Sequence, residues 1–150
     1  MIRKLHPAAG IAAFLTILCF WGSTVVVELG GDGTRIAAVK LAILWGLAVL
    51  IPAIAVAGAT GARLAGRSRQ PVAAGKLRRM RFIALNGIAV LVPCAVVLQQ
   101  RAGMGLYDRT FALVQAAELV AGAVNLALIG LSIRDGFKLT RRFGLSATAR

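Results

Sequence analysis

The chain has 150 residues, 59% of them hydrophobic and 15% charged, and 18 Lys and Arg against 5 Asp and Glu give a net charge of +13. A soluble domain averages about 45–50% apolar and about 25% charged residues, so a water-soluble globule is excluded. One His, two Cys and scattered acids are too few ligands for a zinc site, so no metal is expected.

The first apolar segment, Ala8–Val27, follows Arg3 and Lys4. It is longer than a secretory signal core and no small-x-small cleavage site follows, so it reads as a true first helix over about 8–29. Leu18 also stands where a lipoprotein signal wants a small residue before Cys19. His6 is the sole histidine, so haem could be held only with Met80 or by two chains, and a haem- or quinone-linked electron carrier rests on it alone. Glu28 closes the segment. Gly30–Arg35 then forms a tight turn.

The second segment, Ile36–Ala57, opens a helix over about 36–58 and carries Lys40, Trp45, Gly46 and Pro52. Residues 59–81 read as a basic connector with Arg63, Arg67, Arg69, Lys76, Arg78, Arg79 and Arg81. Such cations attract anionic headgroups at about 1 kcal/mol each. The stretch IAVAGATGARLAGR, which runs from the end of the second segment into the connector, lacks the glycine spacing and the strand–helix context of a dinucleotide-binding turn.

The third segment, Phe82–Leu98 (helix about 82–100), holds Asn86, Gly87, Pro93 and Cys94. The fourth, Thr110–Ile133 (about 110–133), places Gln115, Glu118, Gly122 and Asn125 at helical spacing on one face. All four segments have about the 17–25 residues that cross a hydrocarbon core. A basic tail, 134–150, mixes Phe and Leu with Lys and Arg, the pattern of an interfacial helix.

Helices two and three share a sentence: Lys40–Pro52 reads KLAILWGLAVLIP and Arg81–Pro93 reads RFIALNGIAVLVP. Each proline removes a helical hydrogen bond and is expected to kink its helix, and Gly46, Gly87 and Gly122 allow close packing. Trp21 and Trp45 are expected in the core. A transporter-like inverted repeat is one reading of the echo. Convergence on membrane-helix composition is the other.

The expected fold is therefore all-α, a single four-helix transmembrane domain of antiparallel neighbours. Fourteen of the 18 basic residues fall on the side of the N-terminus, the 59–81 connector and the tail, which puts both termini in the cytoplasm. Arg and Ala in place of Lys and Ile point to a bacterium, hence to its inner membrane. Glu28, Lys40, Gln115, Glu118 and Asn125 form a candidate intramembrane polar cluster, with Lys40 the natural partner of Glu118. No catalytic motif survives, so no enzyme is expected and no cofactor is required. The leading reading is a non-catalytic structural or accessory subunit of a membrane complex, partnered by lipids, other membrane subunits or itself. The alternative is a small ion- or proton-coupled transporter or channel using the Glu118 face. Basic charge without stacking aromatics argues against nucleic acid.

Overall fold

A computed structural model describes residues 2–66 and 71–147. Among the described residues every regular element is helical: α1 (Ile2–Gly30), α2 (Gly33–Gly66), α3 (Pro71–Asn86), α4 (Val92–Gly103) and α5 (Arg109–Ala147). A π-helical turn, Gly87–Leu91, joins α3 to α4. Four stretches are long and apolar enough to cross a membrane: Pro7–Gly30, Gly33–Gly61, Arg78–Gly103 and Arg109–Asp135. The chain is on that ground a multi-pass membrane protein.

The helices overrun the apolar segments. α2 continues to Gly66 and α3 begins at Pro71, so most of the 59–81 connector is helical. Its Ala, Leu, Arg and Lys are strong helix formers. Thr60 adds no break, because its hydroxyl donates back to the Val56 carbonyl at 2.6 Å. The GATG stretch thus lies within α2. The tail likewise extends α5 to Ala147 instead of starting a separate helix.

Two connections are short and capped. Gly31 takes the left-handed region (φ +65°), and Asp32 accepts the Thr34 N–H at 3.0 Å to cap α2. Between α4 and α5, Gly105 is again left-handed (φ +69°), and Asp108 caps α5 by accepting the Phe111 N–H at 2.9 Å. That backbone donor, joined by the Arg101 guanidinium at 2.7 Å, holds the Asp108 carboxyl below the usual carboxylate range. The connections touch: the Tyr107 hydroxyl donates to the Gly33 carbonyl at 2.5 Å. We call this the loop end.

α1 packs on α2 and α5, and both α2 and α5 pack on α3 and α4. Near the loop end Ile36, Leu98, Ala102 and Phe111 form one buried cluster; Ala13, Ile17, Leu50, Ile83 and Ile129 form another farther along the helices. Consecutive α1 residues join three helices. Phe20 lies on Gly46 of α2, where a Cβ would overlap the ring, and Trp21 lies on Gly122 of α5, where a Cβ would meet Cδ1 at 3.0 Å. Neighbouring residues on a helix point about 100° apart, so the two rings reach two different partners. The glycines therefore receive aromatic rings from α1.

Trp45 corrects an expectation. It is 74% exposed and faces outward rather than into the core. The inward face of α2 is set by Lys40, Ile43 and Leu50, and Trp45 falls on the opposite side.

Candidate functional site

Lys40 stands seven residues past the start of α2, about 10 Å along the helix. Its side chain is fully buried. The ammonium donates to Glu118 Oε2 at 2.7 Å and to the Thr24 hydroxyl at 3.5 Å. Gln115 Nε2 donates to the same Glu118 oxygen at 3.2 Å. Three spans thus meet at the Lys40 ammonium: Thr24 of α1, Lys40 of α2 and Glu118 of α5. Such a pair can cost as much in desolvation as it returns in attraction, but removing one partner strands a charge in an apolar surrounding.

Glu28 lies one helical turn from Thr24 on the same face of α1, and interacts electrostatically with both Lys40 and Glu118. Its Oε1 is buried and accepts no hydrogen bond, and the same holds for Gln115 Oε1. The centre therefore contains one cation, two carboxylates and two unpartnered acceptor oxygens. Cys94, half-buried on α4, also lies within electrostatic reach of Glu118 and Lys40. Cys19 faces outward, and both thiols are free.

Asn125 does not join this cluster. It pairs farther along α5 with Asn86 of α3, whose Nδ2 donates to Asn125 Oδ1 at 2.9 Å and to the Ala121 carbonyl at 3.0 Å. Asn125 Nδ2 donates to the Ile83 carbonyl at 3.4 Å. The helical spacing put Gln115, Glu118 and Asn125 on one face, but that face meets different neighbours at different depths. Between the two polar groups the Trp21 indole N–H donates to the Leu119 carbonyl at 2.9 Å.

A cleft of about 60 Å³ lies inside the bundle, walled by Ile17, Trp21, Leu47, Leu91 and Ala95 with Glu118 and Thr24 at its polar edge. That space suits a few water-sized molecules. The two prolines behave differently. α2 stays α-helical through Pro52, whereas the turn preceding Pro93 widens, with the Val92 N–H bonding to the Gly87 carbonyl five residues back. Leu91, the last residue of the widened turn, lies on the cleft wall.

Of the basic residues expected at headgroups, Arg63, Arg78 and Arg81 are exposed, while Arg79 is held by Asp135 of α5 at 2.9 Å. Arg67 and Arg69, and the side chains of Lys76 and His6, lie outside the described residues. No group of three or more metal-type ligands occurs among the described residues.

Sequence reasoning missed Thr24 and Trp21 as members of the site. A threonine in an apolar helix ordinarily bonds its own preceding turn and gives no signal. The spacing of Thr24 and Glu28, four residues apart on one face, was the available clue. Compared with known proteins, the chain matches no family model, no curated protein and no solved structure.

Proposed function

We propose that this is a non-catalytic structural or accessory subunit of a complex in the bacterial inner membrane. In this reading the spans form an antiparallel bundle, both termini are cytoplasmic, and Arg63, Arg78 and Arg81 meet anionic headgroups. What carries it is the consumption of polar groups inside the bundle: Lys40 with Glu118 and Thr24, Asn86 with Asn125, Trp21 with Leu119. Groups spent on one another fix packing and leave little to bind a substrate. The broad apolar exterior, with Leu29, Trp45, Val49, Leu85 and Ile88 all more than 45% exposed, suits lipid and other membrane helices alike.

The test is gentle extraction from the native membrane, followed by mass spectrometry and a visible spectrum. Stoichiometric co-purifying membrane subunits are expected. A monodisperse chain for which in-membrane crosslinking finds no partner would sink the reading, and a Soret band would bring forward an electron carrier using His6. Topology is checked with Gly31→Cys in a Cys19→Ser, Cys94→Ser background, which should react from outside with an impermeant maleimide.

A second reading, an ion- or proton-coupled transporter or channel, draws on the ionic centre within the span. Flux in liposomes that disappears in Glu118→Gln would establish it.

A further inference from the structure

We infer that the centre of Glu28, Lys40 and Glu118 binds one exchangeable proton, shared between its two carboxylates and resting on Glu28 while Lys40 holds Glu118. The inference stands whether or not the accessory reading does.

Charge comes first. The titratable groups facing one another here are Glu28 on α1, Lys40 on α2, Cys94 on α4 and Glu118 on α5; the π turn contributes none. With Cys94 as a neutral thiol, two ionised carboxylates against one ammonium leave a net negative charge inside an apolar span. That is an expensive state, and one added proton neutralises it.

Geometry says where the proton goes. Lys40 and the Gln115 amide both donate to Glu118 Oε2, so Glu118 is the paired carboxylate. The Gln115 amide is oriented by that contact. Its NH2 must face the carboxylate, which leaves Oε1 turned away, buried and unpartnered. Gln115 is only 5% exposed. Glu28 Oε1 is the other unpartnered buried acceptor. A cluster with two acceptors to satisfy and one charge too many calls for a hydrogen-bond donor that is also a cation. A proton on Glu28 removes the surplus charge and turns one of its own oxygens from an unpartnered acceptor into a donor.

A metal ion fits less well. Hard cations gather about six oxygens or more. Two unpartnered oxygens beside an ammonium offer neither the number nor the field. Glu28 also lies two residues from the end of α1, about 3 Å of helix rise, so its proton has a short path to the loop-end solvent.

The test is infrared spectroscopy of the reconstituted full chain at neutral pH in light and heavy water. The chain has only five carboxylate side chains, and the other three, Asp32, Asp108 and Asp135, each pair with an arginine. The wild type should show one protonated-carboxyl C=O band that shifts on deuteration. Glu28→Gln should lose it, because Glu118 then pairs with Lys40 alone. Glu118→Gln should lose it too, because Glu28 then takes over Lys40. Lys40→Met should double it. A wild type with no such band, a band surviving in either glutamine variant, or a band removed by sodium at fixed pH would each overturn the assignment. The wild-type spectrum decides even where a variant fails to fold.

Discussion

In Lys40–Pro52 the leading cation is buried against Glu118; in Arg81–Pro93 it is exposed. The residue before the shared glycine points outward as Trp45 in one copy and inward as Asn86 in the other. Ala42 is exposed where its counterpart Ile83 is buried. By contrast Ala48 with Ala89, Val49 with Val90 and Pro52 with Pro93 face outward in both. Those three pairs are half of the six matching positions, and they lie where lipid asks the same of any helix. Gly46 with Gly87 and Leu50 with Leu91 match on the inward side. Where the letters differ, Lys40 and Asn86 turn inward and do different work, while Arg81 and Trp45 face outward. The prolines add to the contrast, since the turn widens only before Pro93.

The leading cations give the sharpest test of this contrast. Lys40→Met should destabilise the protein by about 3–5 kcal/mol in detergent unfolding at neutral pH, because Glu118 loses its buried partner and must take up a proton to stay inside the span. Arg81→Met should stay within about 0.5 kcal/mol. Equal effects would erase the distinction between the copies. Next come the glycines. Gly46→Ala should cost about 1–3 kcal/mol through overpacking on Phe20, and Phe20→Leu should recover part of it. Gly87→Ala meets only Asn125 Nδ2 at 3.8 Å and should gain about 0.5–1 kcal/mol from helix propensity. Between the two glycine effects stands Asn86→Leu, expected to cost about 1–2 kcal/mol for its hydrogen bonds across to α5. Trp45→Leu should be close to neutral by the same melt.

The smallest effect lies outside both copies and calibrates them. The folded Asp108 carboxyl titrates below its ordinary value, so its contribution is fully present above that value and fades as pH falls through the lower, folded one. Melting curves should show a shallow acid-side loss that Asp108→Asn removes, because asparagine still caps the helix without titrating. An acid-side loss unchanged in Asp108→Asn would point to another carboxylate.

The spans were legible because length and apolarity are local properties: each of the four apolar segments lies within one of the four spans, which run a few residues longer at their ends. Lys40 and Glu118 were legible as partners because both are charged groups inside apolar segments entered from the same side, and the long lysine stem can reach the deeper carboxylate; they meet at 2.7 Å. Asn125 was misplaced because shared helical phase does not tell which neighbour a face meets. Trp45 was misplaced because a large ring suits lipid as well as a core. The π turn was illegible because Pro52 and Pro93 sit in nearly the same words, and what distinguishes their surroundings is Asn86, a contact made across helices.

Chain order gives the buried pair a history. Lys40 precedes Glu118 by 78 residues, an interval of roughly 4–16 s at ordinary rates of synthesis. A nascent α1–α2 hairpin reaches the bilayer with its ammonium already in place and α5 not yet made. Within that hairpin Glu28 is the one acid in the apolar stretch. Glu28 is then the carboxylate at hand while the molecule is half-built, and the arrival of Glu118 relieves it of that duty.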